Sequence, residues 1–568
     1  MVYMNIWRIN VRKQSCEISP VPLTWEGLGG RGLIARILVD EVPGNCEPLG
    51  RYNKLILTPG FLVGYGLSSC DRISIGGKSP LTQGVKEANA GGSTGLKLVM
   101  LGIRALILED MPEGSGWWVL RLSKDGAQFH RADELLGKGV NETAQLLLNK
   151  YGNSIASALI GPAGEMGLAS AGIQNLDKDN VPSRIAARGG LGAVMGSKRL
   201  KAIVIDSSGG EKPPIVDWEA FKIARKRFTE ALVNHPQTAT YRDYGTAAMA
   251  HMCNAFGALP TRNFSSGQFE DVEEISGEHM RNLLLERGGE SKTTHACMVG
   301  CSIRCSNVFG GPDGKSIVSP LEYETIGLMG SNLGISSLDT VARLNQKAND
   351  LGLDSIELGA ALGVAAEAGL MSFGDGQRAL ALVDEISQGT PLGRLLGSGA
   401  TITGKVLNVQ HIPAVKGQAM SAYEPRAIKG TGVTYATSPQ GADHTSGLTI
   451  RAKINHLDPK GQVDASRNAQ YNAAGYDTLG VCLFAGFGFA AAPDTLKDLL
   501  NAIYNQQADL GILQQLGKKT LLLEREFNIK AGLTKEQDRL PEWMTLEALP
   551  PTQAVFDVPD EEMDKIFD

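Results

Sequence analysis

Short apolar runs separated by glycine, proline and polar turns fill the first two hundred residues. NKLILTPG, RISIGG, RALILED, WWVLRL, ASALIGP and KAIVIDSS are rich in β-branched or aliphatic residues and bounded by turn formers, which predicts strands. Past a proline-bearing linker, GGEKPPIVDW at residues 209–218, the period changes. FKIARKRFTEALVNH, LDTVARLNQKANDLG and DSIELGAALGVAAEAG carry apolar residues at helical spacing, and helical character continues to the carboxyl end. The pattern is that of an α+β protein, a β-rich platform followed by a larger α region. A chain of 568 residues is too long to share one core. We expect a β-rich domain over 1–210 and two mainly helical domains over 211–415 and 416–568.

Two internal repeats stand out within this pattern. NAGGSTGLKLVMLGIRALILED (89–110) and RGGLGAVMGSKRLKAIVID (188–206) both run Gly-Gly, small residues, a short helical stretch, then basic–Ala–three aliphatics–acid. NDLGLD (349–354) and DTLGVC (477–482) share polar or acidic, two residues, Gly, aliphatic, then Asp or Cys. Together they predict a pseudo-twofold platform that holds two similar halves of one ligand. The Gly-Gly turns offer backbone N–H groups suited to phosphate, and the acidic turns suit a flat, donor-rich heterocycle. Two other glycine clusters are decoys. Gly27-Leu-Gly-Gly-Arg-Gly32 follows the proline-broken ISPVPLTWE, a poor strand, so it is a poor dinucleotide turn. GGKSP (76–80) has Arg72 where a phosphate loop needs its first glycine.

Composition narrows the class. A formal charge of −6 gives no footprint for nucleic acid or an anionic membrane. The amino terminus has no signal-peptide core, and the longest apolar run, VCLFAGFGFAAAP, falls short of the roughly 18 residues of a span. A soluble cytoplasmic protein is the expectation.

Cysteine placement then supplies chemistry. Of eight cysteines, Cys297, Cys301 and Cys305 fall within THACMVGCSIRCSN, and Cys482 closes the DTLGVC turn. Clustered thiolates in a chain without secretion signals point to metal rather than disulfides. Three local cysteines and one distant one suit a [4Fe–4S] cluster, whereas structural zinc usually takes two pairs. As a straight helix, 297–305 would place its outer thiols about 12 Å apart along the axis. The segment is therefore expected to wrap around the cluster, with Gly300 as the permissive point. Cys16, Cys46, Cys70 and Cys253 are scattered and read as buried small hydrophobes.

GLGGRGLIARILVDEV, NKLILTPG, KSPLT, NAGG, ARGGLGAVMGSKRLKAIVI, LEYET, NDLGLDSIELG, AYEPRAIKGTGVTYATS and DTLGVC occur in this order between about residues 5 and 545. In these blocks the chain resembles the aldehyde ferredoxin oxidoreductase family, enzymes with tungsten or molybdenum on two pyranopterins beside a [4Fe–4S] cluster. The resemblance implies a β platform for the paired pterins, topped by two helical domains. It implies that Cys297, Cys301, Cys305 and Cys482 hold the cluster and that Arg72 sits between it and a pterin. Asn89 and Gly91, with Arg188 and Gly189, would position the pterin phosphates around a bridging Mg²⁺. Asn349, Leu353 and Asp354 would bind one pterin, and Asp477 and Val481 the other.

The same resemblance places Glu324 of LEYET and His444 of GADHTSG near the metal, with Tyr423 of AYEPR a third candidate. It implies oxidation of a small aldehyde, or the reverse reduction of an acid, with electrons passing to ferredoxin or an iron–sulfur partner subunit. A buried Glu324 would have a raised pKa and could exchange the proton, and His444 could hydrogen-bond the carbonyl. Without the resemblance, a Glu beside Tyr reads as a surface residue and a His in a Gly/Ser loop as a cap. Three features depart from the family: the first cysteine gap is three residues rather than two, a Glu-x-x-His iron site bridging subunits is replaced by ARLNQ, and the tail is short. A bridging iron is therefore not expected, and any homo- or hetero-oligomer would form without one. Two other readings compete. One is a family member turned to another reaction, such as aryl-coenzyme A or acid reduction, against which stands the lack of any cysteine between Cys305 and Cys482. The other is a zinc-stapled scaffold without catalysis.

Overall fold

The computed structural model describes residues 4–568. In the first sheet, β1 (Asn5–Asn10) and β2 (Ser15–Pro20) form a hairpin, and β6 (Ile103–Glu109) lies parallel to β1. Antiparallel β3 (Leu55–Pro59), β4 (Ile73–Lys78) and β5 (Val85–Ala90) complete the order β2-β1-β6-β3-β4-β5. The second sheet contains β7 (Trp118–Ser123), β8 (Gly126–Arg131), β9 (Ala156–Leu159), β10 (Ile173–Asn175), β11 (Arg184–Ala186) and β12 (Leu200–Ile205). Its order, β8-β7-β12-β9-β10-β11, repeats the first sheet six strands on, again with a single parallel pair, β7 and β12. The sequence repeat 89–110/188–206 is the part of this duplication in which a strand end, a short helix (Thr94–Met100 or Leu191–Ser197) and β6 or β12 follow one another.

The two sheets share one apolar core. Ile9, Leu55, Ile73 and Leu106 from the first meet Val119, Leu120, Leu159 and Ile203 from the second. Full burial of a Leu or Ile stabilises by about 1.5–3 kcal/mol relative to exposure, so this shared layer holds the halves together. On the other face of the first sheet, helix Gly30–Glu41 buries Leu33, Ile34, Ile37 and Leu38, one stripe at helical spacing, against Ile56, Val85 and Ile107. What precedes that helix is a 3₁₀ turn, Leu23–Trp25, not a strand, so the 27–32 glycines do not form a dinucleotide turn. In the other decoy, Lys78 donates to the carbonyls of Gly44 and Cys46 rather than facing a phosphate.

Beyond residue 210 the chain is helical with two departures, one of them a two-stranded pair of Ala414–Val415 with Gln418–Ala419. β13 (Lys292–His295), β14 (Ser306–Gly310) and β15 (Ser316–Val318) form a small antiparallel sheet, and the three-cysteine segment connects its first two strands. Helices Gln462–Leu479 and Ile512–Lys530 pack on each other and on Gly30–Glu41, tying the carboxyl region to the platform. Among the described residues no single helix is long and apolar enough to cross a membrane.

The second repeat proves structural as well. Helix Leu338–Leu351 ends at Gly352 (φ 75°) and helix Gln462–Leu479 at Gly480 (φ 76°), both left-handed. Leu353 N–H then bonds Ala348 O, and Val481 N–H bonds Tyr476 O, the same helix-ending turn twice. Each turn seats on the same part of one sheet. Gly480 O accepts from Arg72 N–H just before β4, and Gly352 O from Gly172 N–H just before β10. Cys482 N–H bonds Ser69 O, and Asp354 N–H bonds Ser170 O. Gly60 after β3 and Gly161 after β9 let the turns approach, since a Cβ on either would collide with turn backbone.

Candidate functional site

The first wall of the site carries thiols. Residues 297–305 form no helix; the segment turns at Gly300 (φ 75°), as its spacing required. Cys301 is buried, and its thiol is drawn down to about 5, first by Cys297 beside it and also by the Ser69 hydroxyl. Burial raises the Cys305 and Cys482 thiols, each also feeling Cys301. The four predicted cysteines therefore share one wall. Among the described residues no group of three or more His, Cys, Asp or Glu is arranged to hold a single metal ion. Gly91 closes on this wall, where a Cβ would lie 3.2 Å from Cys297 Sγ.

Cys70 is buried among apolar residues as expected, and it also adjoins the thiol wall. Its fully buried thiol feels Cys482 and Cys301 and donates to Ser68 O at 3.2 Å. Its place beside the wall follows from the chain's path: the 68–72 segment runs beside the DTLGVC turn, a contact no sequence spacing reveals.

Behind the thiols lies a buried cage of charge. Arg72 donates to the side chain and carbonyl of Asn89, and its charge favours the ionised forms of Cys482 and Asp477 against burial. Asp477 also pairs with Arg31 at 3.2 Å, and Arg31 forks onto Glu524 at 2.7 and 2.9 Å. Val481 is buried beside Cys482. In the other half, Arg188 reaches Asp354 at 3.3 Å and Ala442 O at 2.6 Å. Gly189 (φ 82°) lies where a Cβ would collide with the Lys86 side chain, and Lys86 donates to Asp443 at 2.5 Å. Leu353 is buried and bridges Ala171. Asn349 accepts through its carbonyl from Gln174 at 3.4 Å.

Electrostatics divide these acids into two kinds. Burial resists charge on Asp443, yet Lys86, Arg188 and His444 hold it well below the usual carboxylate range. Burial, with Asp477 opposing a second charge, lifts Glu87 to about 8; burial and Asp354 lift Glu357 to about 7. A carboxyl kept neutral in such a place can donate to a ligand. Several buried polar atoms have no partner here: Glu324 Oε1, Gln174 Oε1, Gln418 Oε1 and Tyr435 O–H. Unsatisfied atoms at this density are what a polar, many-atom ligand would complete. Lys86, Glu87, Asp443 and Glu357 were not singled out from the sequence. The available signal was Lys-Glu-Ala-Asn inside β5, a strand too polar for its buried position.

Glu324, His444 and Tyr423 come together on the helical side. Glu324 begins helix Tyr323–Met329; its Oε2 accepts from Ala422 N–H at 2.8 Å, and burial raises its pKa. Its Oε1 faces His444 Nε2 at 3.5 Å. Ser421 Oγ accepts from Arg188 Nη1–H at 3.2 Å and His444 N–H at 3.3 Å, which leaves its proton for His444 Nδ1 at 3.0 Å. That assigns the ring proton to Nε2, facing Glu324. Tyr423 stacks on His444, ring centres 6.3 Å apart, and Tyr323 tilts against Tyr423 at 5.4 Å. Cys253, expected as inert packing, is also here. Burial raises its thiol to about 12, and it contacts Tyr323 and feels Glu324. An argument from cysteines between 305 and 482 could not see it, because helix Met249–Ala255 reaches this wall from earlier in the chain.

Residues 6–207 match the model described as the aldehyde ferredoxin oxidoreductase N-terminal domain, and 223–568 the one described as domains 2 and 3. The chain is 32% identical over 550 residues to a tungsten-containing aldehyde ferredoxin oxidoreductase of Thermococcus kodakarensis, covering 92% of this chain and 88% of that one. It is 30% identical over 465 residues (75% and 72%) to a Pyrococcus furiosus protein named aliphatic sulfonate oxidoreductase, WOR-like subunit. Among solved structures, an active-site complex of benzoyl-coenzyme A reductase with a dienoyl-coenzyme A matches with a TM-score of 0.78. That match has 19% identity and covers 99% of this chain and 92% of the other, a likeness of fold.

Proposed function

The chain belongs to the aldehyde ferredoxin oxidoreductase family of enzymes, and on that footing we propose that it oxidises a small aldehyde to a carboxylate in the cytoplasm. In this reading the charged cage holds a tungsten or molybdenum bis-pyranopterin with its phosphates bridged by Mg²⁺, and the thiol wall holds a [4Fe–4S] cluster. When bound, the metal centre supplies a two-electron oxidant and the cluster a one-electron relay to ferredoxin or an iron–sulfur partner subunit. Asn89, Gly91, Arg188 and Gly189 serve the phosphates, with Asn349, Leu353 and Asp354 at one pterin and Asp477 and Val481 at the other. Arg72 bridges the cage and Cys482.

The protein's own part in the chemistry is proton handling and positioning. Oxidation of an aldehyde with water releases two electrons and leaves protons to be removed. Glu324 Oε1, buried and without a hydrogen-bond partner, is the group that takes one. His444 Nε2–H holds the carbonyl oxygen, with Ser421 and Arg188 fixing its ring. Tyr323 and Tyr423 keep water from the far side.

Glu324 Oε1, buried, without a hydrogen bond and with only His444 Nε2 facing it at 3.5 Å, carries this proposal. Glu324→Gln keeps size and hydrogen bonding but removes the exchangeable proton. We expect metal and iron content to persist while turnover falls roughly 10²–10⁴-fold, the usual contribution of such a group. Near-normal oxidation by the metal-replete variant would remove Glu324 from the mechanism. A second reading, reduction of an aryl-coenzyme A or acid, is favoured by one observation, the Cys253 thiol beside Tyr323 and Glu324. Benzoyl-coenzyme A reduction by the same preparation, without aldehyde oxidation, would select it.

A further inference from the structure

The loop that carries Arg72 contains a residue whose geometry is hard to explain as a turn. Ser69 has φ 60°, a left-handed conformation that favours glycine or asparagine and strains a serine. It is 1% exposed, so no solvent contact accounts for the side chain. Its hydroxyl lies 3.1 Å from Cys301 Sγ, and its carbonyl accepts the Cys482 N–H at 2.8 Å. One residue thus touches two thiol-wall cysteines that are far apart in sequence. Its neighbour orients it: Ser68 Oγ accepts Ser302 N–H at 2.9 Å and lies 3.4 Å from Ser69 Oγ. With Ser68 donating to Ser69, the Ser69 proton is left to point at Cys301. A cysteine bound to iron has no proton, so the hydroxyl must be the donor.

Resting on the cluster reading above, we propose that Ser69 is a positioning residue whose hydroxyl hydrogen-bonds the Cys301 thiolate and raises the reduction potential of the cluster. Reduction adds one electron to the cluster and its sulfurs. A hydrogen bond to a ligating sulfur is stronger to the more negative state, and burial keeps water from screening it. The strained backbone is then explained by the hydroxyl it delivers, since glycine would adopt this φ without cost but has none to offer.

Ser69→Ala removes the hydroxyl and keeps the backbone strain, and Ser69→Gly removes both. Anaerobically purified holoenzymes would be assayed for iron and labile sulfide and titrated electrochemically while the reduced cluster is followed by electron paramagnetic resonance. Both variants are expected to retain native iron and sulfide. Both should shift the midpoint to more negative values, lowering the reduced-to-oxidised ratio at the native midpoint by roughly threefold to tenfold, because only the difference in hydrogen-bond strength between the two oxidation states counts, a fraction of the whole bond. Pulsed resonance in D₂O should show an exchangeable proton coupled to the native cluster and lost from both. An unmoved midpoint in iron-replete Ser69→Gly would overturn the proposal, as would a shift confined to Ser69→Ala, which would indicate backbone strain instead. If Ser69→Ala fails to load iron, Ser69→Gly decides. Native protein holding zinc without sulfide would defeat the cluster reading itself, a result distinct from an unmoved midpoint.

Discussion

The two halves of the platform have the same strands in the same order, yet the turns seated on them end differently. On the first sheet the 477–482 turn ends in Cys482, facing the thiol wall; on the second, the 349–354 turn ends in Asp354, facing Arg188. The preceding residues differ as well: Asp477 pairs with Arg31, while Asn349 offers only its carbonyl to Gln174. Backbone is duplicated and side-chain chemistry is not. A twofold scaffold can accept two similar groups, but only one has a thiol beside it. On the proposed reading, a two-part ligand in this cage has its electron exit on the Cys482 side.

The largest expected effect tests the shared part. Gly60→Ala and Gly161→Ala each push a Cβ into turn backbone that cannot move aside, so both should destabilise by about 3 kcal/mol or more in denaturant unfolding. A large loss at one glycine and none at the other would end the claim that the halves are built alike. Next comes the unshared part. Cys482→Ser should cost iron and disturb the pterin as well, because the thiol and the pterin turn are one element. Asp354→Asn should leave iron at the native level, as should Cys253→Ser; metal analysis separates these outcomes. Iron loss in Asp354→Asn would mean that the second half also supports the cluster.

The smallest effect concerns pH. Burial, then Asp354, lifts Glu357 from 4.5 to about 7, so the native chain keeps a proton that the unfolded chain releases. Native protein binds more protons in that window, and stability therefore falls as pH rises from about 4.5 to about 7. Thermal unfolding across that range should show the slope, and Glu357→Gln should flatten it. An unchanged slope would place the retained proton elsewhere, with Asp477, raised to about 6 chiefly by burial, the counterpart in the first half.

Much of this organisation was legible because backbone demands leave local marks. Gly352 and Gly480 sit where only a left-handed residue ends the helix, and the aliphatic runs of β6 and β12 are continuous because both faces are buried. The wrap at Gly300 followed from the reach of a helix. Other features were illegible because they depend on which distant segments meet. Cys70 and Cys253 look alike in sequence, yet one adjoins the thiol wall and the other Glu324. The Lys86–Asp443 pair spans 357 residues, and neither residue alone predicts the other. The small sheet around the cysteines escaped notice because its strands are only three to five residues long.

The Arg31 fork gives the site a birth order. Its partners, Asp477 and Glu524, lie 446 and 493 residues downstream, and the fourth thiol is at residue 482. A ribosome delivers the platform first, with a buried arginine still lacking its acids and two sheets still lacking their turns. Chain entropy disfavours such distant pairing until nearly everything has been made. A ligand that needs the 477–482 turn can therefore be held only after the carboxyl region has been made.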